Sequence, residues 1–205
     1  MASNLKSPPS EVPGVADAVA RVRTYHQRTK HLPGLFAPGP GYLDWANQPD
    51  PFRNFSGVHM VELPLVSDDG TPPYDSLFHS KESPSQPLTA ESLGLFLELS
   101  LGLTAWKEFQ GTRWSLRSNP SSGNLHPTEG YVLLPAIEGV SERPSLFHYA
   151  PKEHALEVRA EVGVALWAAL CERCPPETVF VGLTSVHWRE AWKYGQRAFR
   201  YCQHD

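Results

Sequence analysis

Proline placement constrains this chain more than any other feature. Of its 20 prolines, 13 precede residue 88, and ten of those lie between residues 32 and 87. Each proline removes a backbone donor and fixes φ, so residues 32–87 form neither a long helix nor a central strand. The same stretch carries Phe36, Tyr42, Trp45, Phe52 and Phe55, too much aromatic surface for a free linker. It reads as an extended arm pressed onto the body, with an edge strand available at residues 58–63. A loop of this length is usually functional or a partner contact. Trp45 and Phe52 therefore read either as packing on their own domain or as lining a partner surface.

The regular elements fall on either side. Residues 1–14 are polar and proline-bearing, a disordered lead-in. Residues 15–31 form a helix by the spacing of Val15, Ala18, Val19, Val22, Tyr25 and His26, with a basic second half. Residues 89–105 form the clearest core helix. Thr89 is its N-cap, Glu91 sits in its first turn, and Leu93, Phe96, Leu97 and Leu101 share a face. Leu95, Leu99 and Leu103 widen that face, so burial on most sides is expected. Residues 146–149 and 156–158 read as a hairpin, and 162–172 as a second apolar helix stopped by Pro175 and Pro176. Residues 178–183 are β-branched and apolar, which predicts a buried central strand. Residues 186–204 keep a helical stripe of Trp188, Ala191, Trp192, Gly195, Ala198, Phe199 and Cys202. Lys193, Arg197 and Arg200 project together from another side; they hold a phosphate or carboxylate, or are simply solvated. Helices and strands are mixed rather than strictly alternating, which argues α+β.

Composition narrows the class. The 205 residues allow one domain and leave a second cramped; 40% hydrophobic and 20% charged residues are ordinary for a globular protein with a sizeable core. A net charge of −4 gives no reason to expect nucleic acid or an anionic membrane as partner. No apolar run approaches the ~20 residues of a membrane span, and the N-terminus lacks the apolar core of a signal peptide. Three cysteines cannot all pair, which fits a reducing cytoplasm. Cys171 and Cys174 sit at a helix end and have only Cys202 as a further thiol, so they read as ordinary thiols rather than zinc ligands. The histidines show no metal spacing, and no metal is expected.

Residues 113–135 combine three kinds of physics. Arg113 and Arg117 bring cations, residues 119–124 form a small-residue turn rich in backbone amides and hydroxyls, and residues 129–134 read as a buried strand closed by Pro135. Gly123 permits close backbone approach, and successive amides at such a turn donate to an anion or a ring carbonyl. The arrangement suits a flat polar ligand with a phosphate tail; composition alone equally describes a plain loop.

The run Arg117-Ser-Asn-Pro-Ser-Ser-Gly-Asn-Leu-His-Pro and the later Tyr131 resemble the flavin-binding turn of the nitroreductase superfamily. Two further stretches are similar to SagB-type dehydrogenases within it. One is Tyr25–His31 followed by Leu43–Arg53; the other is Trp192–Tyr201, with its Tyr-Gly-x-Arg-x-x-Arg-Tyr pattern. The resemblance implies a nitroreductase-like α+β fold, a central, mainly antiparallel sheet flanked by helices, and two-electron chemistry through flavin mononucleotide (FMN). It divides the chain into a lead-in (1–14), an N-terminal helix with its proline-rich arm (15–87) and a nitroreductase-like domain (88–205). It implies FMN contacts at Pro120, Ser121, Ser122, Gly123 and Asn124, with Arg117 as electrostatic neighbour. Lys193 and Tyr194 become the candidate catalytic pair, the phenol acting as base with its pKa lowered by the ammonium. His126 touches flavin or substrate, or packs. The implied partners are a small-molecule or peptide substrate and a homodimer or pseudo-dimer mate.

Two departures from the family pattern stand out. Residues 78–85, before the Thr89 helix, contain one lysine and no arginine where relatives carry an arginine run for the phosphate. Asp205 is the first residue of the Asp-x-Gly-His signature with which relatives continue, so the domain is expected to be incomplete at its C-terminus. These departures motivate an alternative from another class: a non-catalytic nitroreductase-like half that pairs with a flavin-binding partner domain.

Overall fold

The computed structural model describes residues 14–65, 73–79, 86–175 and 177–205. The expected lead-in, apart from Gly14, and residues 80–85 of the arginine-poor stretch lie outside the described residues. The elements run α1 (Val15–Thr29), β1 (Met60–Glu62), α2 (Ser76–His79), α3 (Ala90–Leu101), β2 (Leu103–Phe109) and β3 (Thr112–Arg117). There follow β4 (Thr128–Leu134), β5 (Ser145–Ala150), β6 (Ala155–Glu161), α4 (Val164–Leu170), β7 (Phe180–Ser185), α5 (His187–Tyr194) and α6 (Ala198–Cys202).

Among the described residues, five strands form one antiparallel sheet in the order β1-β6-β5-β4-β7, and β2 and β3 make a separate hairpin. The expected α+β class with a central antiparallel sheet is therefore observed. Leu93 and Leu97 of α3 pack on Val132 and Leu134 of β4, Phe147 and Tyr149 of β5, and Leu156 of β6. Gly130 lets the end of α3 settle on β4, because a β-carbon there would overlap the Leu101 Cδ1. Thr89 caps α3 as its sequence requires: its hydroxyl accepts from Ser92 N–H, and the Ser92 hydroxyl accepts from Thr89 N–H.

The arm is anchored at several points. β1 is the expected edge strand and pairs with β6. Phe55 N–H donates to Glu157 Oε1 at 2.7 Å. Trp45 meets Trp192 edge-on at 5.3 Å, and Trp192 Nε1 donates to the Asp44 carbonyl. Trp45 and Phe52 thus both touch their own chain.

Several expectations need correction. Residues 103–117 are a β-hairpin; α3 stops at Leu101. The overlooked signal was Gln110-Gly111, both at positive φ, as a two-residue hairpin turn demands. β7 is an edge strand, not a central one. Among the described residues it pairs only with β4, and Val181 and Leu183 are 48% and 63% exposed. Its β-branched residues specify a strand, but only partners decide its place in a sheet. The α3 helix buries one face, leaving Phe96 and Leu99 about half exposed. The last helix breaks at Gly195 (φ 54°) into α5 and α6. Val19 and Val22 of α1 face outward; polar contacts hold that helix instead, with the Tyr25 hydroxyl accepting from Arg200 N–H and Thr29 Oγ1 from the Arg200 guanidinium.

Candidate functional site

The turn between β3 and β4 is the most contorted backbone among the described residues. Gly123, Asn124 and His126 have φ of 67°, 60° and 48°. Glycine and asparagine accept the left-handed region readily, whereas histidine must be held there. His126 N–H donates to Ser121 Oγ at 2.8 Å, and its Nε2 lies 3.0 Å from Asn124 Oδ1. Burial, then the neighbouring Arg117 cation, pushes the His126 ring down to about 4. The ring is neutral at pH 7.

A buried polar chain docks α5 onto this turn. Arg189 Nη1 donates to the His126 carbonyl at 2.6 Å and to Glu129 Oε1 at 2.5 Å. Glu129 Oε2 lies 2.8 Å from His148 Nε2, and His148 Nδ1 lies 2.7 Å from Glu157 Oε2. All four side chains are buried. Both ring nitrogens of His148 thus face carboxylate oxygens, one from β4 and one from β6. The chain runs from α5 through β4, β5 and β6 to the Phe55 amide of the arm.

Docked this way, α5 lays Lys193 and Tyr194 across Gly123. A β-carbon at Gly123 would stand 2.7 Å from the Tyr194 hydroxyl and 2.9 Å from Lys193 Nζ. The turn and the Lys-Tyr pair, expected separately, are one place. Tyr194 stacks on Tyr201 at 4.0 Å, and the Arg197 guanidinium lies 5.4 Å and 5.6 Å from the two ring centres. Arg197 and Arg200 do not form a free anion stripe with Lys193. Arg197 binds His31 and the Tyr201 hydroxyl, and Arg200 binds Thr29 and His26.

The expected lowering of the Tyr194 pKa is overturned. Burial, then Glu190, holds the phenol above its usual range, and only Arg197 opposes this. The Tyr194 phenol is neutral at neutral pH. The Asp205 carboxylate accepts from Ser121 Oγ and Ser122 N–H, each at 3.0 Å. Beside it, burial and then the Asp205 charge push the Glu190 carboxyl up to about 8.

Arg117 sits under the arm, donating to the Pro51 carbonyl at 2.5 Å with its guanidinium 5.1 Å from the Phe52 ring centre. Burial lowers it to about 10, which leaves it a cation. Pro120 and Gly123 are exposed; Ser121, Ser122 and Asn124 are partly exposed. Arg113 lies away on the hairpin, over Trp106.

Among the described residues, the buried side-chain polar atoms with no hydrogen-bond partner belong to Ser115, Arg117, Asn119, His126, Arg189, Glu190 and Arg197. All lie in two segments, 115–126 and 189–197. Native interiors leave few such atoms, and here Asn119 and His126 flank the 120–124 turn while Arg189 and Glu190 lie on α5. That donor and acceptor set fits a polar ligand such as FMN.

Sequence reasoning missed Arg189, Glu190, His148 and Glu157. The available signals were an Arg-Glu pair inside an aromatic-rich helix and a glutamate opening an apolar strand.

No family model and no curated protein matches the chain. Among solved structures, a protein designated a nitroreductase from Anabaena variabilis is 30% identical with a TM-score of 0.62. The match covers 88% of this chain and 34% of that one, so this chain spans about a third of its length. A second such protein, from Ralstonia eutropha, is 18% identical, with 74% and 68% covered and a TM-score of 0.47. The E. coli microcin synthetase McbBCD complex with truncated pro-MccB17 bound is 18% identical, with 93% and 74% covered and a TM-score of 0.42. The fold assignment rests on the first.

Proposed function

We propose that this chain, whose fold is that of the nitroreductases, is an FMN-dependent oxidoreductase of the SagB type. The observation that carries the reading is the contact of the 120–124 turn with Lys193 and Tyr194, flanked in the chain by unpartnered buried polar atoms of Asn119 and His126. FMN, when bound, supplies a two-electron acceptor or donor. Pro120, Ser121, Ser122, Gly123 and Asn124 hold it, and the buried Arg117 cation lends positive potential from behind the turn. Tyr194, kept neutral, orients the reacting group by donating a hydrogen bond, and the Lys193 ammonium stabilises negative charge beside it. Residues 88–205 form the flavin unit and residues 15–87 its brace. The substrate is a small molecule or a peptide, the setting the cytoplasm, and the unit pairs as a homodimer or with a second nitroreductase-like domain.

The test is to purify the full chain, denature it and identify any released chromophore. FMN in the supernatant, or uptake of added FMN with a flavin absorption spectrum, supports the reading. Colourless protein that takes up no added FMN overturns it.

A second reading is favoured by the exposed apolar residues Val181 and Leu183 on β7 and Val164 and Leu166 on α4. There, the chain is a non-catalytic nitroreductase-like half that pairs with a flavin-binding partner domain and lends it structure or substrate contacts. It requires the isolated chain to self-associate and to bind no FMN; a flavin-loaded monomer contradicts it.

A further inference from the structure

Glu190, Lys193 and Tyr194 are spaced i, i+3, i+4 on α5, so they share one face of the helix. Glu190 is fully buried, no donor reaches its carboxyl oxygens, and its side chain lies within hydrogen-bonding reach of the Asp205 carboxylate. Its neighbour Asp205 is the opposite case, accepting from both Ser121 Oγ and Ser122 N–H. Two adjacent carboxyls, one of them buried, do not both ionise readily, and hydrogen bonds to one of them favour charge there. The proton therefore belongs to the carboxyl without donors.

We propose that Glu190 is a positioning residue that keeps a proton at neutral pH and so leaves Asp205 free to accept from Ser121 and Ser122 and hold the 121–122 turn in place. The groups facing it are Lys193 and Tyr194 on α5, Cys202 on α6, and Asp205. Of these, only Lys193 favours its ionisation. Loss of the Glu190 proton sets two negative charges side by side and pulls Asp205 away from Ser121 and Ser122. In the flavin-site reading, on which this consequence rests, FMN affinity then falls as the proton leaves. The raised carboxyl pKa of about 8 agrees with this placement.

The test needs no flavin. Infrared spectra of the full chain are recorded against pH, for wild type, E190Q and D205N. The expected result is a carboxylic-acid carbonyl band at pH 7 that fades near pH 8 and is missing in E190Q. In D205N its midpoint moves down, because the like charge is gone. Folded wild-type protein with no acid band at pH 7 overturns the proposal. If E190Q does not fold, carbon-13 NMR titration of the wild-type glutamate carboxyls decides the same question: one midpoint near 8 supports the proposal, and none above 6 overturns it. FMN titrations at pH 6.5 and 8.5 form a separate arm. Weaker binding at the higher pH, lost in E190Q, supports the link to the turn; equal binding overturns that link. Absence of FMN binding at both pH values instead counts against the flavin site, leaving the infrared result to stand alone.

Discussion

The α-carbon of Gly123 lies against the side chain of Tyr194 so closely that a β-carbon would stand 2.7 Å from the phenol oxygen. With φ at 67°, the position disfavours a side chain twice over, by strain and by contact. G123A is expected to cost about 1–3 kcal/mol and to weaken FMN binding together with stability. Urea denaturation and FMN titration check both; an unchanged midpoint would mean α5 does not press on the turn.

The contact between Arg189 and Glu129 sets where α5 sits. Removing one partner of a buried pair strands the other charge, so R189M is expected to lose about 3–5 kcal/mol. The double variant R189M/E129Q is expected to recover part of that loss. Chemical denaturation of the four-member cycle measures it, and simple additivity would show that the pair is not coupled.

How much of this was legible in the sequence divides along physical lines. Thr89 announced itself as an N-cap, and Val132 and Leu134 announced a buried strand, because caps and apolar runs are local. The β7 strand was misplaced at the sheet centre, since apolar composition does not say how many neighbours a strand has. The site split the same way. The 120–124 turn and Lys193-Tyr194 were each visible, but their meeting depends on Arg189 reaching Glu129 across 60 residues. The sign of the Tyr194 shift was misread because the ammonium is adjacent in sequence, whereas the burial that decides it is tertiary and Glu190, one helical turn back, adds to it.

Stability should depend on pH in a direction set by two groups. Glu190, raised to about 8, binds more protons when folded, so its contribution is full at low pH and is lost as pH rises toward 8. His126, lowered to about 4, does the reverse below pH 6.5. The two oppose each other at acid pH, leaving Glu190 to act alone between about 6.5 and 8, where stability is expected to fall by on the order of 1–2 kcal/mol. E190Q should flatten that fall. Denaturant midpoints across the window check it, and a rise in wild type would contradict it.

Removing the α3 cap tests the fold independently of the site. T89A is expected to cost about 0.5–2 kcal/mol while leaving FMN affinity alone. Paired thermal melts and ligand titrations separate the two effects.

The most direct test of the flavin site is equilibrium titration of the flavin-free chain with FMN, followed by quenching of flavin fluorescence, in wild type and in N119A and H126A. Saturable one-to-one binding by wild type, weakened at least tenfold when either side chain with unpartnered buried atoms is removed from a still-folded protein, is the expected result. No saturable binding, or binding indifferent to both substitutions, would contradict a flavin site at the 120–124 turn.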